Sequence, residues 1–328
     1  MPFSTILGQK RAVSLLTRAL QSDRLAHAYL FMGPDGVGKT SLALDMAALL
    51  FCHQPQHEVP CGICPGCLKF SSGNHPDFFR VRPDGAAIKI DQIRELKKIL
   101  QFPPLEGMLR IVLLEEVQTM RREAGNSLLK ILEEPPPDNL FLLISNTMSS
   151  MLPTIVSRCQ LIPFTFLPQR LAAEIIRMQR PELEEEKAIM LATLTDGCPG
   201  QALTIEADEI AHLYHRLVKA MLMSTKTPAE RVEEALAFAS ELPENEQSFE
   251  HLLHLLRIFL KNAMTADVSV SDCSPESFQA RERWNLQELS AKMKTIDLIE
   301  QALARNCNRA LSGEVLLLNL FDCSHFSI

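Results

Sequence analysis

The amino-acid sequence predicts an α/β domain built on a parallel sheet, followed by all-α segments. Over residues 1–165, apolar strand-like runs alternate with helix-like runs, which is typical of a parallel sheet with helices on both faces. Residues 166–207 predict a small helical domain, and residues 208–328 predict a larger one. Gly313 is the only glycine in that last segment, so few positions interrupt its helices.

The strongest local motif is a glycine-rich loop after the first strand-like run. Ala28–Met32 reads as a strand, the pattern G-x-x-x-x-G-K-T covers residues 33–40, and a helix-like run follows. The residues that would hold a phosphate are Gly33, Gly36, Gly38, Lys39 and Thr40. The glycines let backbone N–H groups surround phosphates at a helix N-terminus, where Lys39 would contact the terminal phosphates. The Thr40 hydroxyl would bind magnesium, so the motif predicts a site for a nucleoside triphosphate.

Two further strand-like runs end in polar side chains that would complete this site. Residues 110–116 are apolar up to Glu115 and Glu116, and residues 141–146 end at Asn146. In phosphate-loop nucleotidases the first acid reaches magnesium through water, and a second acid can polarise the attacking water. The first acid is usually aspartate, but here it is Glu115, whose extra methylene group displaces the carboxylate by about 1 Å or more. Misplacement of a catalytic group on that scale can cost about 100-fold in rate. We therefore expect nucleotide binding with slow hydrolysis. Asn146 is either a sensor of the terminal phosphate or an ordinary turn residue.

Four cysteines form a second candidate site. Cys52, Cys61, Cys64 and Cys67 have the spacing C-x8-C-x2-C-x2-C, and prolines and glycines between them favour tight turns. Four thiolates can enclose one tetrahedral zinc ion and leave no open coordination position, so the predicted zinc is structural. An iron–sulfur cluster and four unrelated thiols are the alternatives.

Composition and charge narrow the class of protein. The 328 residues carry a net charge of −7, which argues against a surface that coats nucleic acid unaided. No apolar run is long enough to span a membrane, and no signal peptide is recognisable, so we expect a cytoplasmic protein. Two local features are also expected: Asp91 as a helix cap, and a flexible loop over the serine-rich residues 265–282.

Two more motifs follow the phosphate loop, the four cysteines and the acidic strand. L-L-K-x-L-E-E-P-P covers residues 128–136, and S-R-C covers residues 157–159. With the phosphate loop, the four cysteines and the acidic strand, the set resembles the clamp-loader branch of the AAA+ ATPases over roughly the first 210 residues. This resemblance implies an AAA+ domain at 1–165 with a zinc module at 52–67, a lid at 166–207 and a helical oligomerisation collar at 208–328.

The resemblance also implies a function. It implies a subunit of the bacterial DNA polymerase III clamp loader, which uses ATP to open a ring-shaped sliding clamp and place it on primed DNA. The implied partners are the gamma or tau and delta subunits in a hetero-pentamer, the clamp, and primed DNA. Arg158 of the S-R-C motif resembles an arginine finger that enters a neighbour's ATP site, a contribution worth about 10³–10⁵ in rate. An arginine that caps a helix and pairs locally is the alternative.

The lid segment indicates a branch of this family. Residues 196–203 contain no arginine, and Cys-Pro-Gly-Gln-Ala-Leu resembles the Pro-Gly-x-Ala-Leu of delta-prime subunits rather than the lid of gamma and tau. We therefore expect a delta-prime-like subunit whose own ATPase is weak or absent. The alternatives are a gamma/tau-like subunit that hydrolyses ATP at its own loop, a nucleotide-gated scaffold, and a zinc-dependent nucleic-acid binder. The last of these lacks the expected basic and aromatic clusters.

Overall fold

The structure of the protein is a computed structural model, which describes residues 3, 5–22, 24–56, 59–106, 108–148, 151–203, 207–223, 227–243, 245–265, 275–305 and 307–322. Contacts between residues divide the chain into two compact units, Met1–Thr204 and Ile205–Ile328. The finer division into three domains, at residues 165 and 207, stays a prediction.

The first unit contains a five-stranded parallel sheet. Its strands are β1 (Ala28–Met32), β2 (Phe78–Val81), β3 (Arg110–Leu114), β4 (Asn139–Ser145) and β5 (Gln160–Pro163). Their order in space is β2-β3-β4-β1-β5, and every neighbouring pair is parallel. Because parallel strands end at the same edge of a sheet, the loops that follow β1, β3 and β4 lie side by side.

Helices cover the sheet and continue beyond its last strand. Those described in the first unit are α1 (Lys10–Gln21), α2 (Lys39–Phe51), α3 (Pro65–Ser71), α4 (Ile90–Ile99), α5 (Arg122–Glu133), α6 (Pro153–Val156), α7 (Gln169–Gln179), α8 (Glu185–Leu194) and α9 (Pro199–Ala202). A short 3₁₀ turn, Val117–Thr119, follows β3.

Side chains that alternate along the strands fill two apolar layers, one on each face of the sheet. Tyr29 and Phe31 of β1 are buried with residues of α1 and α2. Leu30, between them, is buried on the opposite face with Ile93 of α4 and Leu128 of α5. Strands buried on both faces explain the nearly continuous apolar runs in the sequence. The predicted parallel α/β class is confirmed for this unit.

The second unit is helical. In its described residues the elements are α10 (Ala207–Met223), α11 (Pro228–Ser240), α12 (Glu246–Thr265), α13 (Pro275–Arg283), α14 (Leu286–Ala304) and α15 (Arg309–Leu320). They share one apolar core, in which Phe249, Leu256 and Leu316 are fully buried. The predicted all-α character of this segment is confirmed. Over the described part of the chain, no helix combines the length and apolarity needed to cross a membrane.

Two local predictions were wrong. The N-cap of α4 is Lys89, and Asp91 instead lies in the first turn, where its carboxylate is 3.1 Å from the Arg94 guanidinium. The loop expected at residues 265–282 is partly helical, since α13 begins at Pro275 and Ser277 is only 1% exposed. Residues 266–274 of that loop lie outside the described part of the chain.

Candidate functional site

The phosphate loop connects β1 to the N-terminus of α2. Gly38 caps this helix with a left-handed backbone, at φ 101° and ψ 15°. A Cβ atom at Gly38 would have no neighbour within 4 Å, so the space beside this cap residue is open. The first N–H groups of a helix lack partners within it and carry a partial positive charge. This end of α2 can therefore accept a phosphate group.

Lys39 lies across the base of the same loop. Its Nζ donates to the carbonyl oxygens of Gly33 at 2.5 Å and Pro34 at 2.6 Å, and lies 3.2 Å from a carboxylate oxygen of Asp35. Burial lowers the pKa of Lys39, and the neighbouring Asp35 carboxylate partly opposes that shift. The other oxygen of Asp35 accepts a hydrogen bond from Nδ2 of Asn146 at 2.7 Å. Asp35 thus joins the predicted phosphate lysine to the predicted sensor residue.

Thr40 and Glu115 meet on the side of the loop that faces β3. The Thr40 hydroxyl donates to Oε1 of Glu115 at 3.3 Å. Arg80 binds both carboxylate oxygens of Glu115, with Nε 2.6 Å from Oε2 and Nη2 2.8 Å from Oε1. Arg82 adds a third charged contact, from its Nε to Oε2 at 2.6 Å. Burial opposes ionisation of Glu115, but the two guanidinium groups outweigh it and lower the pKa of the carboxyl group.

The two acids of the strand differ sharply in environment. The side chain of Glu115 is 11% exposed and held by its neighbours, whereas Glu116 is exposed. Glu116 also has a left-handed backbone, at φ 52° and ψ 44°, where it begins the 3₁₀ turn. The structure therefore gathers Lys39, Thr40, Glu115 and Asn146 around one loop. Glu116 lies at the margin of that group.

The lid segment contacts the phosphate loop through the backbone. The N–H of Gly200, in α9, donates to the carbonyl oxygen of Gly36 at 2.9 Å. A Cβ atom at Gly36 would lie 2.7 Å from the backbone nitrogen of Gln201, so the contact leaves no room for a side chain there. Gly36 also has φ +80°, which side-chain-bearing residues rarely adopt. The predicted lid residues thus lie directly on the candidate site.

The four cysteines come together at the end of α2. Their sulfur atoms all lie within 4.8 Å of one another, and Cys52, Cys64 and Cys67 are buried. Backbone N–H groups of the turns point at the sulfurs, from Cys61 to Cys52 at 3.2 Å and from Cys64 to Cys61 at 3.4 Å. N–H groups of Cys67 and His53 lower the pKa of the Cys64 thiol to about 6. Burial, in contrast, raises the pKa of the Cys67 thiol to about 12. The carrying observation is therefore geometric, since four sulfurs within reach of one another fit the donor set of a structural zinc ion.

Arg158 lies one residue beyond the C-terminal cap of α6. Its Nη2 is 2.7 Å from a carboxylate oxygen of Glu133 at the end of α5, and its Nη1 donates to the carbonyl oxygen of Thr154 at 3.1 Å. The side chain is 34% exposed. Among described residues its partners are Thr154, Ser157 and Glu133, none of which belongs to the phosphate loop. The structure does not bring Arg158 to the nucleotide site of its own chain.

Comparisons with known proteins agree with this geometry. A family model described as "DNA polymerase III, delta subunit" matches residues 8–168. The DNA polymerase III subunit delta' of Bacillus subtilis strain 168 is 36% identical over 211 residues, covering 64% of this chain and 63% of that protein. Over this matched part, the chain is similar to delta-prime subunits of DNA polymerase III. The chain matches about 63% of the length of that delta-prime relative.

Other relatives are also subunits of DNA polymerase III. The delta' subunit of Pseudomonas aeruginosa is 36% identical over 212 residues, covering 61% of this chain and 64% of that protein. The tau subunit of Escherichia coli K12 is 34% identical over 218 residues, covering 64% of this chain and 33% of that protein. A solved gamma-subunit-related protein of Thermotoga maritima aligns over 95% of this chain and 99% of that one, at 16% identity and a TM-score of 0.41. At this identity and TM-score, the structural similarity carries no argument about the family of this chain.

Four residues of these sites were not predicted from the sequence. Arg80 lies on β2 and Arg82 follows directly after the strand. Their contact with Glu115 depends on how β2 pairs with β3. Asp35 is inside the motif but at one of its variable positions. Glu133 is part of the L-L-K-x-L-E-E-P-P motif, and its pairing with Arg158 appears only in the fold.

Proposed function

We propose that this protein is a delta-prime-like subunit of the DNA polymerase III clamp loader, which helps ATP-driven loading of the sliding clamp onto primed DNA. It assembles with gamma or tau and delta subunits in a hetero-pentamer, and meets primed DNA through the assembled complex. Because the assembled clamp loader acts on primed DNA, we expect the protein in the cytoplasm. The family match over residues 8–168 carries this proposal.

Arg158 is the residue through which the chain acts on its neighbour. The guanidinium is partly exposed at the end of a short helix, and its partners among the described residues are Thr154, Ser157 and Glu133, so it can reach an adjacent subunit. There it stabilises the charge that develops on the transferred phosphoryl group. The Glu133 pair is too exposed to hold it firmly, since exposed ion pairs contribute about 0–1 kcal/mol.

The phosphate loop of this chain binds ATP. The open N-terminus of α2, the buried Lys39 and the nearby Asn146 support this. Glu116 and Asn146 are the groups that would orient a water molecule. Replacement of Lys39 by alanine is expected to abolish binding of a fluorescent ATP analogue, with Lys10→Ala, an exposed lysine of α1, as the control. Equal binding by both variants would contradict a nucleotide site at this loop.

The four-cysteine cluster holds one zinc ion. Its residues would fix the end of α2 to the start of α3, because Cys52 caps the first helix and Cys64 begins the second. With four sulfur ligands the ion would have a structural role and take no part in ATP chemistry.

Assembly is the experiment that tests the proposed function as a whole. The protein is mixed with purified gamma or tau and delta subunits, and complex formation and clamp loading on primed DNA are measured. We expect a stable complex whose clamp loading requires this chain. Failure to enter any complex, at concentrations where the other subunits assemble, would contradict the proposal.

The second candidate is a gamma/tau-like ATPase that hydrolyses ATP at its own loop. The intact G-x-x-x-x-G-K-T motif and the tau relative at 34% identity favour it. It predicts hydrolysis by the isolated chain that disappears in Lys39→Ala. The engagement of Glu115 by two arginines weighs against it, because that acid is then not available to the metal.

A further inference from the structure

The magnesium side of the phosphate loop has an unusual donor set. Thr40 and the first strand acid normally share the metal, directly or through water. In this chain Oε1 of Glu115 accepts hydrogen bonds from Arg80 and Thr40, and Oε2 accepts from Arg80 and Arg82. An ionised carboxylate offers about four lone-pair sites. All of them are engaged by protein donors, so this carboxylate does not fit the role of a magnesium ligand.

The local charge also disfavours a magnesium ion at this side of the loop. A carboxylate alone would make this side of the loop negative and attractive to a divalent cation. With Arg80 and Arg82 at 2.6 Å the group of three ionised side chains carries a net charge of +1. Such a charge repels a metal ion and attracts the phosphates of a nucleotide. Arg80, at 31% exposure, is less screened by water than Arg82, at 60%.

The sheet fixes Arg80 in place. Arg80 lies on β2 opposite Leu113 of β3, and Glu115 follows β3 directly, with its N–H bonded to the carbonyl oxygen of Val81 at 2.9 Å. The guanidinium of Arg80 binds both oxygens of Glu115, which is the strongest geometry for such a pair. The arrangement is therefore set by backbone pairing as well as by side-chain contacts.

We propose that Arg80 and Arg82 are positioning residues that make triphosphate binding at this loop independent of a divalent cation. They occupy the carboxylate that would otherwise hold magnesium, and they supply positive charge next to the phosphates. This inference rests on the proposed nucleotide site. It also accounts for a subunit that binds ATP without hydrolysing it well, since the metal contribution to catalysis is weakened.

The test measures binding of a methylanthraniloyl ATP analogue to the full chain, in magnesium and in excess EDTA. We expect the affinity of the unmodified protein to differ by less than about threefold between the two buffers. The double variant Arg80→Gln/Arg82→Gln releases Glu115, so its affinity should fall by about tenfold or more when magnesium is removed. Arg94→Gln, which alters an exposed arginine of α4, is the matched control and should behave as the unmodified protein.

A second variant keeps the test decisive if the double variant folds poorly. Glu115→Gln removes the carboxylate but leaves both guanidinium groups, and it should stay insensitive to magnesium. A loss of about tenfold or more in the unmodified protein on removing magnesium would overturn the inference, as would a double variant that stays insensitive. If the unmodified protein binds no nucleotide in either buffer, the proposed nucleotide site is wrong and the inference fails with it. Binding that is lost in Lys39→Ala but indifferent to magnesium supports both.

Discussion

The backbone N–H of Gly200 is hydrogen-bonded to the carbonyl oxygen of Gly36 at 2.9 Å, so the lid helix α9 lies directly on the phosphate loop. A Cβ atom at Gly200 would be 2.7 Å from the Cα atom of Gly36. Two glycines are therefore required at this point for the two backbones to approach. A change in the loop can reach the lid through this contact.

Gly200→Ala is expected to separate the lid from the loop. The added methyl group meets backbone rather than a flexible side chain, so the free energy of unfolding should fall by about 1–3 kcal/mol. Denaturant unfolding measures this loss, and release of the ATP analogue should become faster. Gly73→Ala is the control, because it has φ +74° but no atom within 4 Å of the added carbon. Its nucleotide release should not change, and equal release rates in both variants would contradict the lid contact.

Removal of one cysteine of the cluster should remove the metal. Cys64→Ser is expected to lose bound zinc, and its melting temperature should drop by at least about 5 °C because metal binding contributes directly to stability. Elemental analysis and thermal unfolding measure the two effects. Cys307→Ser, an exposed cysteine outside the cluster, should change neither. Iron with sulfide in the purified protein would instead favour the iron–sulfur alternative.

Local patterns predicted the elements that depend on local signals. The strand Ala28–Met32 has the expected bounds, because an apolar run that ends at a glycine-rich loop defines it. Most of α13, in contrast, was expected as part of a loop. The first turn of α13 carries polar residues such as Ser277, whose burial depends on tertiary packing and leaves no periodic signal.

The candidate site was predictable in its parts but not in its connections. The loop, the acids and the cysteines each belong to a motif with known spacing. Arg80, on β2, and Glu115, just after β3, are 35 positions apart in sequence. It depends on strand register, which a single sequence does not fix. The pairing of Arg158 with Glu133 likewise depends on how α5 and α6 pack.

The pH dependence of stability should reveal the engaged state of Glu115. Its pKa is lowered in the folded protein, so its contribution is present above the unfolded value of about 4.3 and is lost as pH falls through the folded value. Near pH 7, Glu115→Gln should reduce the free energy of unfolding by about 1–3 kcal/mol. The difference should shrink towards zero in acid, as measured by urea unfolding at several pH values. Glu95→Gln, an exposed control on α4, should show no such trend.

The second unit depends on a buried lysine. Lys292 is 3% exposed, donates to the carbonyl oxygens of Asn319 and Leu320, and pairs with Asp322, which also accepts from the indole N–H of Trp284 at 2.9 Å. Lys292→Met should lower the free energy of unfolding by about 2–3 kcal/mol, below the full range for a buried pair because Asp322 is partly exposed.

Trp284 makes this prediction simple to measure, because it is the single tryptophan of the chain and its fluorescence reports the second unit. Lys294→Met, an exposed lysine on the same helix, is the matched control and should leave stability unchanged. A loss below about 0.5 kcal/mol in Lys292→Met would mean that the buried lysine is not a net stabilising element.

ATP turnover in a reconstituted clamp loader tests the central proposal most directly. A loader that contains the Arg158→Ala variant is compared with the unmodified loader and with Arg11→Ala, an exposed arginine of α1. We expect the variant to assemble normally, while hydrolysis at the adjoining subunit's site falls by about 10³-fold or more and clamp loading falls with it. Unchanged turnover at that site in an intact assembly would contradict the role of Arg158 in a neighbouring ATP site.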